Sequence, residues 1–314
     1  MKRRPRFRGM PDSQRITDIL DWIIDQLSRR SAFPDFDPTI QLEPIKFEIF
    51  NLVFEEAATN TAGSINIEFK FQENYNYMKY KQKNNGCEAS IRQCTADNKE
   101  REIKKLVRDG DFVNMAIEFI KLLISNRDST YKSMEWKLQK NRKIPSFLTK
   151  FQSILRKLGG NMKVEELEID CQNNANNMLR ILPLLDSESL KRFELERHED
   201  SVDVKKLKIL QKFKNLEWLK MADAPKLPVE VWWNVPDTKL KLDHVKLKDM
   251  KRIMENFLQS RKFKGSFLLT PLDDWDIAKT MGWRFTYRGY HQVFVMGART
   301  QVTIRIWKGT VKFT

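Results

Sequence analysis

Three stretches of the chain share one pattern: Val164-Glu-Glu-Leu167-Glu-Ile169, Leu190-Lys-Arg-Phe193-Glu-Leu195 and Leu216-Glu-Trp-Leu219-Lys-Met221. Each reads apolar-x-x-apolar-x-apolar, and successive copies start 26 residues apart. A repeat of this length holds one short strand and one helix, and neither buries its apolar side alone; stacking the copies does.

The stretch predicts an α/β chain whose centre is a leucine-rich-repeat-like β-α solenoid, over about residues 111–270, with antiparallel β-meanders at both ends. Tyr131-x-x-Met134-x-Trp136 fits the pattern upstream, and Lys239–Leu242 and Phe267–Leu269 extend it downstream. Helices are expected near Ala175–Leu185, with a bend or a short terminal turn at Pro183, near Asp203–Phe213, and over Leu247, Met250, Met254, Phe257 and Leu258. Strand side chains alternate between faces, so the residues between the apolar ones point outward. Stacked in register, the copies set Glu166, Arg192 and Trp218 in one outward row and Glu168, Glu194 and Lys220 in a second. A tryptophan among charges on an open sheet suits a protein-binding anchor, the alternative being that a neighbouring segment covers Trp218. Of Trp232 and Trp233, one ring is expected in the core.

Working outward, residues 1–35 form a basic arm, with five cationic side chains from Lys2 to Arg8, and an amphipathic helix. Ile16, Ile19, Leu20, Ile23, Ile24 and Leu27 share one helical face, with Asp12 or Ser13 as cap. Pro34, Pro38 and Pro44 then hold an extended linker. From Ile45 the period is two: Ser64–Phe71, Tyr75–Lys83 and a return strand through Cys87, Ala89 and Ile91, turning at Asn84-Asn-Gly86. Asp97–Asp109 reads as a polar break, Asp111 as the cap of a helix, and Ser146–Leu158 as a helix stopped by Gly159-Gly160. Residues 283–314 read as the C-terminal meander.

The chain of 314 residues carries 57 Lys and Arg against 42 Asp and Glu, a net charge of +15 that favours acidic partners. Cys87, Cys94 and Cys171 are too few and too scattered for a disulfide framework, which points to a reducing compartment, cytoplasmic or nuclear. No apolar run approaches the ~20 residues of a membrane span, and no apolar segment follows the basic start as in a signal peptide. His198, His244 and His291 stand at no metal-ligand spacing, Asp273-Asp274 reads as solvated, and no phosphate loop, nucleophile elbow or zinc motif occurs. The sequence predicts no enzyme, metal or cofactor.

Tyr77-Met-Lys-Tyr-Lys-Gln-Lys-Asn-Asn-Gly-Cys87 resembles the tyrosine–lysine hairpin of the FTH domain of nematode F-box proteins, also called domain of unknown function 38. The resemblance runs on through Lys163–Ile169, Met178–Asp186, Phe213–Leu219 and Met254–Ser260, covering roughly Phe36–Phe285 and placing an FTH-like domain over 36–314. It implies a non-enzymatic interaction module that recognises a protein substrate for an SCF ubiquitin ligase, with a Skp-type adaptor and cullin as further partners. An F-box would precede it. Met10-Pro11 and the helix face Ile16, Ile19, Leu20, Ile23 and Leu27 fit the start of one and would be the adaptor contact, but the prolines from Pro34 leave no room for the remaining helices. The F-box is therefore degenerate or absent. A stand-alone binding domain without a ligase link and a basic nucleic-acid-binding protein are the alternatives.

Overall fold

The computed structural model describes residues 15–29, 42–55, 63–94, 100–108, 110–138, 143–171, 175–196, 203–221, 232, 235–243, 264–270, 284–286, 289–295, 301–307 and 310–313. The chain is mixed α/β, an antiparallel N-terminal meander followed by parallel strands. It divides into two compact units, residues 1–166 with 183–186, and residues 167–182 with 187–314.

In the first unit, helix α1 (Ile16–Arg29) precedes strands β1 (Lys46–Glu55), β2 (Ser64–Phe71), β3 (Asn74–Lys83), β4 (Gly86–Cys94) and β5 (Glu100–Arg108). Helix α2 (Phe112–Leu123), strand β6 (Thr130–Leu138) and helix α3 (Ile144–Lys157) follow. The strand order is β6-β1-β2-β3-β4-β5, with β1 parallel to β6 and the other neighbours antiparallel. The Asn84–Asn85 turn pairs Lys83 with Gly86, whose φ of 137° suits glycine alone. Asp111 caps α2 as expected, its Oδ1 accepting from the Val113 and Asn114 amides at 2.8 and 3.1 Å. At the end of α3, Gly160 turns into the left-handed region (φ 67°) and donates its amide to the Leu155 carbonyl at 2.8 Å.

Alternation puts Phe50, Leu52, Phe54, Ile65, Ile67, Phe69, Met78 and Tyr80 on one buried face, under α2 and α3. Aromatic rings join the layers. Phe119 of α2 meets Phe69, Phe147 of α3 meets Phe54, and Trp136 of β6 lies edge-on to Phe151 with centroids 5.0 Å apart. The Trp136 side chain is fully buried.

One expectation is overturned here. Glu100–Arg108, inside the expected polar break, forms β5 and pairs with β4 along its whole length. It is an edge strand of the first unit, and only Val107 is buried. An edge strand tolerates charge on both faces and is protected by it from stray pairing, so its period is hard to read.

β7 (Lys163–Cys171) begins in the first unit and ends in the second. Strands β8 (Arg192–Glu196), β9 (Trp218–Met221), β10 (Asp237–Asp243) and β11 (Lys264–Thr270) follow, and the pairs β8–β9, β9–β10 and β10–β11 are parallel. The connecting helices are shorter than expected. Helix α4 (Ala175–Met178) leads to a 3-10 turn at Leu182–Leu184, and α5 (Val204–Leu207) to another at Lys208–Lys212. Pro183 has no amide hydrogen to continue a helix, so the first connector closes as a tight turn. Leu179, Leu182, Leu207, Leu210 and Phe213 of these connectors are buried. Strands β12 (Arg284–Thr286), β13 (Gly289–Val295), β14 (Gln301–Trp307) and β15 (Thr310–Phe313) form the antiparallel C-terminal end, β15 running antiparallel to β11. The basic arm, the α1 caps, the helix expected around Leu247–Leu258, and Trp233 lie outside the described residues; Trp232 is buried.

Trp136→Ala is expected to cost about 3–5 kcal/mol, because a large ring leaves a cavity between β6 and α3 that α3 cannot close; urea unfolding with an unchanged m-value measures it.

Candidate protein-interaction surface

The parallel pairing sets like positions of the repeat side by side. In the second unit Arg192 is registered with Trp218 and Glu194 with Lys220, while Trp218 and Lys220 are registered in turn with Asp237 and Lys239. Phe193, Leu195, Leu219 and Met221 point to the other side and are buried. The guanidinium carbon of Arg192 lies 3.7 Å from the centroid of the half-buried Trp218 ring. An exposed cation–π contact of this kind contributes about 0.5–1 kcal/mol. The stack also fixes two long side chains, so a partner meets a flat, ordered patch and loses less side-chain entropy in ordering it.

The second row is a charge cluster. Lys220 Nζ donates to carboxylates of both Glu194 and Glu196, and Arg192 stands 3.8 Å from Glu194. Glu194 is not the exposed residue that alternation alone suggests. It is buried on the outward side, because its neighbours on β8 and β9 are long side chains that fold over it. Burial pushes its carboxyl above the ordinary carboxylate range despite the Lys220 contact. The two hydrogen-bonded carboxylates raise the Lys220 ammonium in turn. On β7, Glu166 is exposed and Glu168 half-buried.

The helix face expected to meet an adaptor is placed differently. Ile16, Ile19, Leu20 and Ile23 of α1 are all buried, and the Leu27 side chain is outside the described residues. α1 packs against β5, where Asp21 pairs with Arg101 at 2.7 Å. A protein reaching these four residues has to displace what covers them.

The first unit's polar strand face has a bearing on polyanion binding. Lys70 pairs with Glu48 at 2.6 Å, Lys79 with Glu55 at 2.8 Å, Lys104 with Glu102 at 2.8 Å, Lys137 with Glu135 at 2.5 Å, and Arg92 with Glu100. Burial alone would raise Glu55, but hydrogen bonds from Lys79, Ser64 and Asn66 hold its carboxyl below the usual range. These cations are matched by local carboxylates, and a phosphate backbone would have to compete with them.

Among the described residues no three His, Cys, Asp or Glu side chains come together as a metal site requires. Cys87 and Cys171 are buried, and burial pushes the Cys87 thiol up to about 12, far from a reactive thiolate. His198, His244, Asp273 and Asp274 lie outside the described residues, and His291 is in β13. No helix of the described residues is long and apolar enough to cross a membrane.

Comparison with protein families matches residues 145–281 to the FTH domain. The chain carries an FTH domain. The match is narrower than the Phe36–Phe285 resemblance, and no F-box is detected. Neither the curated proteins nor the solved structures give a match to the chain. The FTH match begins in α3 and takes in all three copies of the repeat, so Arg192, Trp218, Glu194 and Lys220 all belong to this F-box-associated domain.

Two measurements check this geometry within the FTH domain. A double-mutant cycle of Arg192→Ala and Trp218→Ala on unfolding free energy is expected to give a coupling of about 0.5–1 kcal/mol. Lys220→Met leaves Glu194 buried beside Glu196 without its cation. The loss is expected at about 1–2 kcal/mol near neutral pH, below the cost of breaking a fully buried pair because Lys220 is partly exposed. In that variant the folded-state pKa of Glu194 lies above its unfolded value, so the folded form holds the proton more tightly. The deficit therefore shrinks as pH falls through the folded pKa, and urea titrations at pH 7 and pH 5 read the difference.

Proposed function

We propose that the chain is a non-enzymatic protein-binding module whose FTH domain selects a protein substrate for a ubiquitin ligase of the SCF type, in the cytoplasm or nucleus. The Arg192–Trp218 stack on the outward side of the parallel strands is the observation that carries this reading. Arg and Trp are the side chains most enriched among residues that dominate binding energy, and a pre-ordered pair reduces the entropy a partner must remove. The association of FTH domains with F-box proteins supports the ligase context.

The 26-residue repeat, laid on successive strands with short helical connectors, supports a leucine-rich-repeat-like solenoid as the underlying architecture. Such stacks present one strand of each repeat side by side, which suits an extended surface better than a catalytic cleft. In this reading Glu168, Glu194 and Lys220 set the polar surround of the anchor, and Glu166 contributes an exposed carboxylate from β7. The buried α1 face makes a hidden adaptor contact, so engagement of a Skp-type adaptor would proceed through another surface or after α1 is released.

The test is affinity purification of the tagged full chain with mass spectrometry. A Skp-type adaptor and cullin are expected together with one or more target proteins. Trp218→Ala is expected to weaken target binding by about 2 kcal/mol, roughly thirtyfold, and to leave adaptor recovery intact. Targets retained undiminished by Trp218→Ala would move the binding surface elsewhere; a target without adaptor or cullin would make the chain a stand-alone binding domain.

A further inference from the structure

A cleft of about 770 Å³ opens in the first unit, and what it could bind is independent of the role proposed for the Arg192–Trp218 surface. It is built where the β3–β4 hairpin, the end of β5 and the start of α2 meet. Gly86 lines the space. It is the cross-strand partner of Arg108, and with no side chain there the floor beside Arg108 stays open. Gln82 keeps the hairpin end in shape, donating to the Gly86 carbonyl at 2.9 Å while its own oxygen accepts from the Phe112 amide at 3.4 Å.

The lining is chemically uneven. Leu106 is 43% exposed, one of two large apolar side chains so exposed among the described residues. Arg108, exposed and two residues on, shares its face of β5. Lys143 adds a second cation from the residue before α3, 3.9 Å from Asp111. Asp111 is occupied in capping α2. Among the described residues Arg108 has no ion pair, in contrast to Lys104 on the same strand, which is matched by Glu102. Beside the cleft runs the outer edge of β5, whose only strand neighbour among the described residues is β4. Unpaired backbone groups on such an edge accept another strand.

We propose that this edge and cleft together bind an extended, acidic peptide segment of a partner protein. The segment adds as a strand outside β5, one apolar side chain covers Leu106, and a carboxylate enters the cleft to meet Arg108 and Lys143. Backbone pairing supplies most of the affinity, and the two cations select the charge. An arginine fork holds a carboxylate with two parallel hydrogen bonds, which fixes the register of the added strand. At the other end of β5 Arg92 and Lys104 are already matched by Glu100 and Glu102, so the acidic position lies at the end of the segment nearest the unpaired Arg108.

The experiment pans a phage-displayed library of random 12-residue peptides against the full chain. Selected peptides are expected to carry Asp or Glu together with an apolar residue, to bind Arg108→Glu at least tenfold more weakly, and to protect β5 amides from hydrogen exchange. Charge reversal at two exposed positions, Arg108→Glu and Lys143→Glu, is checked by circular dichroism and melting; should either variant fail to fold, Arg108→Gln with the exchange measurement decides. Recovery of no peptide, enrichment of basic sequences, equal binding to Arg108→Glu, or exchange protection confined to residues outside β5 each overturns the proposal. Loss of peptide binding in Arg108→Glu with target recovery unchanged would separate this site from the Trp218 surface.

Discussion

Parallel strands that carry one pattern in register must bury the same positions in every copy and expose the same positions in every copy. That constraint organises the second unit. Leu219 and Met221 follow Phe193 and Leu195 into the core because the ladder leaves them no other side, and Trp218 comes to rest beside Arg192 for the same reason. Surface and core are thus one decision. Moving β9 by one residue would carry Leu219 and Met221 to the outside and replace the stack with apolar surface. The outward row is as well specified as the core, although its own interactions are individually weak.

The first unit solves a different problem. An antiparallel meander needs one covered face, and α2 and α3 provide it with rings that interlock across the layers. The other face is covered by matching charge with charge: Glu55 alone gathers Ser64, Asn66 and Lys79. Such pairs are worth little individually, but a polyanion would have to compete with each of them. A net charge of +15 suggests polyanion binding when read from composition, yet on this face Lys70, Lys79, Arg92, Lys104 and Lys137 already have partners. Charge left unmatched, as at Arg108, is more telling than the total.

Much of this was legible in the sequence. The strands holding the repeat, the hairpin at Asn84–Gly86, the cap at Asp111 and the Gly159–Gly160 stop all rest on local rules of period and backbone conformation, and they stand where those rules put them. β5 was not legible, because Glu100-Arg-Glu-Ile-Lys-Lys mixes charge onto both faces and an edge strand is not held to an apolar alternation. The outward rows could be written down by register, but Glu194's burial could not; it depends on how long neighbours such as Lys220 lie, which no spacing reveals. The cleft beside Arg108 was hidden for a similar reason, since it joins residues from four separate elements.

The packing of α1 has a further consequence. By its position between a basic arm and a proline-rich linker the helix looks like a detachable leader, but its apolar side is sealed and it lies against β5. It therefore behaves as a lid over the inner side of the meander's last strand. A shorter chain starting after the linker would not be a neater version of the same domain. It would lose the cover from β5, leaving an edge guarded by charge open to other chains from a second side.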